Sequence, residues 1–396
     1  MRALIISFYQ YPDGDAGSIR QHAYAKILQN LGYEVEIIGI NRKILDQFNF
    51  GVYENVSYSL FPMNTASFFS KVIGLVHDYN NFVHNYLLKT HPIPDLIIVT
   101  RIPLIPFIHI KKYAKKNNIV LFHDCVEWFS RDQIFGHDHF DLGHFLPFIL
   151  ASIQIRHIID KSISVVSISI YIHDYFINKT IPSLRIPVIM DKNKFDMEVG
   201  DKCRSIFSLS YAGSPGNGNK DYLIEIITAI RTLTRAEQNA LNFTLLGVDI
   251  SQLSKICHMS EDTLESLSCI HAIGRVPRSE VLNHLMATDF TILIRSSTAR
   301  YAKAGFPTKV VESLMSSTPV ILNMTSDLGM YLKDGYDCIE VEHEDPESIV
   351  RALRRALALT PEQKDQMKKN ARKTAEENFD YRLYIEEFGK FIKNES

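Results

Sequence analysis

Short runs of apolar residues alternate with longer amphipathic segments along the whole chain. In the first half, five β-branched runs begin at Arg2, Glu34, Asp95, Ile119 and Ser164. Nearly continuous apolar runs of this length are typical of parallel strands buried on both faces. After the first run, a turn at Gly17 and Ser18 is expected to lead into an amphipathic helix that Gly32 ends. This order predicts a doubly wound α/β sheet.

The same alternation starts again after about residue 190. Its strands are expected to begin at Ser205, Phe243, Ile270, Phe290, Pro319 and Cys338. We therefore predict two Rossmann-like domains, residues 1–190 and 191–380, which face each other across a cleft. A last amphipathic segment, about residues 381–396, is expected to pack back on the first domain. Its predicted packing residues are Leu383, Ile385, Phe388 and Ile392.

Composition narrows the class of protein. The chain has 396 residues, of which 46% are hydrophobic and 22% charged, and a formal net charge of −2. These values exclude a disordered chain and argue against nucleic acid as a partner bound by bulk electrostatics. The five cysteines form no C-x-x-C pair, which fits reduced thiols in a cytoplasmic protein. We expect neither a transmembrane segment nor a signal peptide.

The clearest motif is KAGFPTKVVESLMSSTPVIL, which starts at Lys303. A loop with Gly305 and Pro307 leads into a short helix, which Thr308 could cap. Backbone N–H groups at such a helix start suit a diphosphate. The carboxylate of Glu312 could accept hydrogen bonds from two adjacent sugar hydroxyls, as in ribose. An ordinary βα loop with a surface glutamate would explain the same residues.

This motif, the N-terminal glycine loop and the second series of strands together resemble the retaining GT-B glycosyltransferases of family four. The resemblance covers essentially the whole chain and implies two Rossmann-like domains of the GT-B type. It implies that Phe306, Pro307 and Thr308 contact the donor diphosphate and that Glu312 binds the nucleotide ribose. One position departs from the family's E-x7-E pattern, because Ala304 replaces the first glutamate, which usually contacts the donor sugar. The donor pocket is therefore expected to differ from that of the family.

A glycine-rich turn, YAGSPGNGNKDYLIEII from Tyr211, forms the second motif. It is neither a Walker loop nor a dinucleotide loop, because it lacks G-K-[ST] and Asp221 stands where the third glycine of G-x-G-x-x-G belongs. In the resembled family the matching loop, here Gly213, Ser214 and Lys220, supplies a basic pair to the diphosphate. Lys220 matches the lysine, and Ser214 replaces the usual arginine. A solvated lysine before a helix is the alternative.

Two further loops bear on metal binding. In similar transferases a small residue such as Gly17 lets a backbone N–H approach the diphosphate. The string Asp13-Gly14-Asp15 fits the D-x-D metal motif of the other main transferase fold, but there the motif follows a later strand. The histidine-rich run 137–145 has no recognised zinc spacing, so acceptor binding or plain solvation explains it better. We expect no metal and no cofactor, since lysine and helix N-termini can neutralise a diphosphate.

The run VLFHDCVEWF places His123 and Asp124 where a strand should end. A histidine there can donate to the reacting sugar or shuttle a proton, and similar transferases carry a donor-contacting histidine at such a strand end. Asp124 and Glu127 are candidates for orienting the acceptor hydroxyl, and Trp128 could stack on a sugar face. Structural roles for the histidine and the tryptophan are the alternatives.

These residues predict a cytoplasmic, metal-independent, retaining glycosyltransferase of the hexosyltransferase type, with His123, Lys220 and Glu312 as its catalytic residues. It would move a sugar from a nucleotide-diphosphate donor, UDP-linked rather than GDP-linked, to a glycan hydroxyl. By analogy the acceptor is a lipid-linked oligosaccharide of a bacterial surface polysaccharide. Aromatic and basic clusters at residues 61–89 and 105–118 would suit peripheral contact with the inner face of a membrane, although amphipathic core helices give the same pattern. A nucleotide-sugar epimerase and a non-catalytic donor-binding partner of another transferase are alternatives.

Overall fold

A computed structural model describes residues 1–12, 16–41, 49–62, 78–89, 92–128, 142–196, 206–215 and 219–395, with residues 142–147 described by their backbone alone. The chain divides into two compact units. The N-terminal unit consists of Met1–Met190 and Asp380–Ser396, and the C-terminal unit consists of Asp191–Phe379.

The N-terminal unit is built on a sheet of eight described strands. They are β1 (Arg2–Gln10), β2 (Glu34–Asn41), β3 (Asn49–Tyr53), β4 (Val56–Pro62), β5 (Leu96–Thr100), β6 (Val120–Cys125), β7 (Ser164–Ser167) and β8 (Ser183–Arg185). The strand order is β3-β4-β2-β1-β5-β6-β7-β8, and every neighbouring pair except β3–β4 is parallel. Because the chain moves from one side of β1 to the other after β4, the sheet is doubly wound.

Helices follow the parallel strands of this sheet. The described α-helices are Ala16–Asn30, Tyr79–Lys89, Leu104–Lys116, Leu142–Ile153, Ile170–Asn178 and Ile385–Glu395. A π-helical turn, Gln154–Ile158, extends the fourth of them, and the 3-10 turn Tyr381–Tyr384 precedes the last. The predicted turn at Gly17 and Ser18 is wrong, because the first helix already begins at Ala16. Gly32 ends that helix in a left-handed conformation (φ 86°), as predicted, and lets the amide of Tyr33 donate to the Leu28 carbonyl at 3.0 Å.

The last helix of the chain completes the core of the N-terminal unit. Phe388 is fully buried, with its ring centroid 5.8 Å from that of Tyr24 and 5.6 Å from that of Phe122. Ile392 is buried and Ile385 partly buried against the same core, as predicted. Leu383 is 49% exposed, so its predicted packing role is wrong. It lies in the 3-10 turn that precedes the helix, outside the periodicity that buries its neighbours.

The C-terminal unit is built on a parallel sheet of six described strands. They are β9 (Phe207–Ala212), β10 (Leu241–Leu246), β11 (Ile270–Gly274), β12 (Phe290–Leu293), β13 (Val320–Leu322) and β14 (Cys338–Glu340). Their order is β11-β10-β9-β12-β13-β14, so the direction of winding changes at β9. The carboxyl end of β9 is therefore the point where a doubly wound sheet opens a crevice for ligands.

The helices of the C-terminal unit follow the same alternation. Its described α-helices are Leu223–Thr232, Arg235–Asn239, Ile250–Cys257, Glu261–Glu265, Arg278–Ala287, Arg300–Ala304, Thr308–Met315, Pro346–Leu357 and Pro361–Asn378. The 3-10 turns Lys192–Phe195 and Leu328–Met330 complete the unit. The predicted fold, α/β with two doubly wound sheets, is confirmed. Among the helices that the structure describes, none is long and apolar enough to cross a membrane.

Truncation of Phe388 tests how strongly the C-terminal helix stabilises the N-terminal unit. Phe388→Ala should lower the free energy of unfolding by about 3–5 kcal/mol, because it removes a buried ring from a packed core. Leu383→Ala is the matched control five residues earlier, and truncation of its half-exposed side chain should cost no more than about 0.5 kcal/mol. Urea denaturation of both variants measures the difference, and equal destabilisation would contradict this packing.

Candidate functional site

A buried carboxylate organises the carboxyl end of β9. The side chain of Asp221 is only 1% exposed, and one of its oxygens accepts a hydrogen bond from Arg295 Nε at 3.0 Å. The other oxygen accepts hydrogen bonds from the Tyr211 hydroxyl at 2.7 Å and from Lys309 Nζ. Lys309 also donates to the Tyr211 hydroxyl at 2.7 Å. Asp221 thus joins the turn after β9, the segment after β12 and the helix Thr308–Met315.

Burial and neighbouring charges shift the pKa values of Asp221 and Lys309. Burial alone would raise the pKa of Asp221, but Lys309 and Arg295 hold it far below its usual range. Burial lowers the pKa of Lys309, and the neighbouring Arg295 and Lys220 act in the same direction, while Asp221 opposes them. Lys309 and Arg295 together carry one more positive charge than Asp221, and Lys220 lies close enough to act on the pKa of Lys309. The local excess of positive charge suits a polyanionic ligand.

The absence of a side chain at Gly213 leaves space for the side chain of Lys309. Gly213 follows β9 directly with a φ of 141°, and a Cβ atom at this position would overlap Lys309 Cε. The side chain of Lys309 therefore lies across the strand end, where the predicted phosphate loop begins. Ser214, the next residue, is exposed.

Lys220 lies in the turn before the helix Leu223–Thr232, next to Asp221. Its ammonium group stands over the ring of Tyr301, 5.4 Å from the centroid, and the Tyr301 hydroxyl donates to the Lys220 carbonyl at 3.1 Å. Its charge contributes to the lowered pKa of Lys309. The structure thus brings the predicted residues Gly213 and Lys220 together with Lys309.

Glu312 follows Lys309 by one turn of the same helix. Both residues border a small gap between this helix and the sheet, with Ala212 and Leu293 among its other lining residues. One carboxylate oxygen of Glu312 is 2.7 Å from Arg278 Nη1, and the Glu312 side chain is 17% exposed. Arg278 is the first residue of the helix Arg278–Ala287, so this ion pair joins two helices.

Residues 306–308, just before and at the start of this helix, are the predicted backbone contacts to the diphosphate. Phe306 is 5% exposed, and its ring packs against those of Tyr331 and Phe379. The predicted capping role of Thr308 is wrong, because Pro307 occupies the N-cap position and Thr308 is the first helical residue. No side-chain hydrogen bond caps the helix within the described residues. Ala304, which is fully buried, has no polar side-chain group at the position where the resembled family has a glutamate.

His123 lies on β6 of the N-terminal unit and is 5% exposed. The ring of Phe107 meets it edge to face at 5.4 Å, and its Nδ1 has no hydrogen-bond partner in the part of the chain that the structure describes. Burial lowers the pKa of His123 to about 4, although Asp124 opposes the shift. The imidazole is therefore neutral near pH 7 and suits hydrogen bonding better than proton uptake.

Asp124 points into a different environment. Arg20, which is 4% exposed, donates to both of its carboxylate oxygens at 2.9–3.1 Å, and the Tyr24 hydroxyl donates at 2.9 Å. The same guanidinium donates to the carbonyls of Ile186 and Pro187. The carboxylate is thus occupied by a buried ion pair. This favours a structural role for Asp124 over orientation of an acceptor hydroxyl.

The remaining predicted residues of the N-terminal unit lie apart. Glu127 is exposed. Trp128 is 5% exposed, with its ring 4.5 Å from that of Tyr175, so it packs rather than presents a face for a sugar. A Cβ atom at Gly17 would overlap the ring of Tyr9, which by itself explains the glycine.

The predicted metal motifs lie mainly outside the described residues. The string 13–15 lies outside the described residues, as do residues 137–141 and the side chains of residues 142–145. Elsewhere, in the ranges that are described, no group of three or more His, Cys, Asp and Glu side chains could hold a metal ion. The absence of a metal requirement stays a prediction.

Sequence reasoning did not find Asp221, Arg295, Lys309 and Arg278 as members of this site. Two signals were present. Asp221 directly follows the predicted phosphate-binding Lys220, and Lys309 precedes Glu312 by three residues, which places both on one face of a helix. Arg295 and Arg278 come from other segments, and only the folded sheet brings them near.

A comparison with protein-family models matches part of the C-terminal unit. Residues 218–374 match the sequence model of the family described as Glycosyl transferases group 1. This range includes Lys220, Arg278 and Glu312. A comparison with curated protein sequences found no significant match.

Solved structures of similar fold cover both units. Sucrose-phosphate synthase from Thermosynechococcus elongatus has a TM-score of 0.74 at 12% identity, over 99% of this chain and 98% of its own. WaaG, a glycosyltransferase of lipopolysaccharide biosynthesis, has a TM-score of 0.68 at 15% identity, and Anabaena HepE in complex with UDP and glucose has 0.65 at 11%; each match covers 99% of both chains. The chain therefore has the GT-B fold, and together with the family match this confirms the prediction of a glycosyltransferase.

Acid titration tests the environment of His123. The unfolded chain takes up this proton near pH 6.5, the folded chain only near pH 4, so the unfolded state binds more protons between these values. The free energy of unfolding should therefore fall as the pH is lowered through this window, by at most about 3 kcal/mol from this group. His123→Gln should flatten that pH dependence, whereas His271→Gln, at an exposed position, should leave it unchanged. Identical profiles for wild type and His123→Gln in urea denaturation would contradict the assignment.

Proposed function

We propose that the protein is a retaining glycosyltransferase of family four that moves a sugar from a UDP-linked donor to a glycan hydroxyl. The observation that carries this proposal is the position of Glu312. It lies one helical turn from Lys309, whose side chain crosses the carboxyl end of β9 at Gly213, where doubly wound folds bind nucleotides. HepE, whose fold is similar, has been solved with UDP and glucose, which supports the choice of nucleotide.

In this proposal Glu312 anchors the ribose. A carboxylate that accepts two hydrogen bonds from the 2′ and 3′ hydroxyls matches a vicinal diol, and these charge-assisted bonds are the strong ones. Arg278 Nη1 lies 2.7 Å from one oxygen of this carboxylate and pairs with it. The Glu312 side chain is 17% exposed, and in this proposal its second oxygen also takes part in binding the ribose.

Lys220 and the backbone of residues 306–308 would stabilise the departing diphosphate. When the bond between the sugar C1 and the phosphate oxygen breaks, its electron pair goes to that oxygen, and the leaving nucleotide gains negative charge. Fixed cations and N–H groups lower the barrier to this step. These groups belong to the chain itself, so the proposal requires no metal ion.

The N-terminal unit would supply the other contacts. We assign to His123 a neutral hydrogen bond to the donor sugar, consistent with its pKa of about 4, and to Gly17 a backbone contact to the diphosphate. A donor phosphate oxygen would take the proton of the acceptor hydroxyl, which accounts for retention without a paired-carboxylate site. Of the two candidates for orienting the acceptor hydroxyl, Asp124 is paired with Arg20. Glu127 is exposed, so we assign this role to Glu127.

The proposed acceptor is a lipid-linked oligosaccharide of a bacterial surface polysaccharide, met at the inner face of a membrane. WaaG, which acts in lipopolysaccharide biosynthesis, shares the fold and supports this class of acceptor. The basic helix Leu104–Lys116 ends in Lys115 and Lys116 and would provide a peripheral contact with anionic lipids.

Nucleotide binding by two variants tests the proposal. We expect calorimetry with UDP, GDP and CMP to show selective binding of UDP by the wild type. Glu312→Ala should raise the Kd for UDP about tenfold or more, the scale of a lost hydrogen bond to a charged group. Lys220→Ala should lower kcat about 10- to 100-fold with a smaller effect on donor binding, because its charge acts most strongly on the leaving group.

Exposed residues of the same unit provide matched controls. Glu265→Ala and Lys255→Ala change the same charges at surface positions and should leave binding and turnover unchanged. Absence of nucleotide binding by the wild type, or unchanged binding and turnover in both site variants, would defeat the proposal.

A further inference from the structure

The phosphate-binding loop after β9 lacks one cation. Lys220 supplies one positive charge, but Ser214 stands at the position where the resembled family has an arginine. Ser214 is exposed and carries no charge. This loop alone would therefore offer one cation, not two, to stabilise the negative charge that the diphosphate gains as it leaves.

Another part of the chain fills the space beside this loop. The Lys309 side chain crosses the strand end at Gly213, so closely that a Cβ atom at Gly213 would overlap it. Lys309 belongs to the helix that carries Glu312 and precedes it by one turn. A ligand whose ribose is held by Glu312 would therefore have its phosphates in reach of Lys309.

We propose that Lys309 is the second cation of the diphosphate site and a catalytic residue in the place of the missing arginine, and that Asp221 is the positioning residue that holds it there. This inference rests on the proposed function, since it requires a nucleotide-diphosphate donor. As the C1–O bond of the donor breaks and its electron pair passes to the phosphate oxygen, Lys309 stabilises the charge that develops there.

The hydrogen bonds of Lys309 leave capacity for a phosphate. An ammonium group has three donors, and the described contacts of Nζ, to Tyr211 and Asp221, use two of them. The side chain is 22% exposed, against 14% for Arg295 and 1% for Asp221. Of the two cations paired with Asp221, Lys309 is thus the more exposed, and it lies on the helix that carries Glu312.

Asp221 fits a positioning role because it is itself inaccessible. Lys309 and Arg295 together carry one more positive charge than Asp221 neutralises. The group of three therefore keeps a net positive charge that attracts an anion. Removal of the carboxylate would free the lysine to leave the strand end without removing its charge.

A comparison of UDP with UMP separates this role from a structural one. Lys309→Met should raise the Kd for UDP about tenfold or more, the scale of a lost charge-assisted hydrogen bond, while the Kd for UMP changes by less than about threefold. Lys309→Arg should restore most of the preference for UDP. Lys255→Met, at an exposed position, is the control for loss of one positive charge. If the wild type selects guanosine instead, GDP and GMP are the probes.

Three outcomes distinguish the claims. The role of Lys309 is overturned if Lys309→Met keeps the preference for UDP over UMP, or if it loses affinity for both nucleotides equally. The proposed function stands in either case. No nucleotide binding by the wild type overturns the proposed function and this inference with it. If Lys309→Met fails to fold because Asp221 loses a partner, the double variant Asp221→Asn, Lys309→Met removes both charges, and its UDP-to-UMP ratio decides in the same way.

Discussion

A carboxylate that is almost completely buried must be paired with cations, and Asp221 satisfies this requirement with Lys309 and Arg295. The three partners come from the turn after β9, the helix Thr308–Met315 and the segment after β12. Loss of the carboxylate would leave two neighbouring cations without their common partner. The positions of Lys309, and of Glu312 one turn further, therefore depend on a single buried charge.

The N-terminal unit uses the same principle for a different purpose. Asp124 is enclosed by Arg20 and the Tyr24 hydroxyl, and Arg20 also reaches two backbone carbonyls. This network holds the first helix against β6. It leaves the adjacent His123 on the other side of the strand, where burial keeps the imidazole neutral. Neighbouring residues of one strand thus divide between a structural ion pair and a candidate ligand contact.

The sequence predicted the sheets well because parallel strands buried on both faces leave a strong apolar signal. Every predicted strand start has a strand beginning within two residues of it in the structure. The hairpin β3–β4 was missed, since β3 alternates between half-buried and exposed residues and its strand-length signal is weak. Leu383 was assigned to packing because the helical periodicity was extended one turn too early.

The site was predictable only where its residues are close in sequence. Lys220, Gly213 and Glu312 lie in motifs, and Lys309, one turn before Glu312, reaches the strand end at Gly213. Arg278 and Arg295 are separated from them by whole βα units, so their role is set by topology. Asp124 shows the opposite case, because a carboxylate at a strand end suggests chemistry until its buried partner Arg20 is known.

The central claim is that the nucleotide diphosphate binds at the carboxyl end of β9. A crystal structure of the protein with UDP tests it most directly. The account predicts that the ribose hydroxyls lie about 2.7–3.0 Å from the Glu312 carboxylate and that phosphate oxygens lie at similar distances from Lys220 and Lys309 Nζ. UDP bound at another place, or bound here with its ribose away from Glu312 and its phosphates away from both lysines, would contradict it.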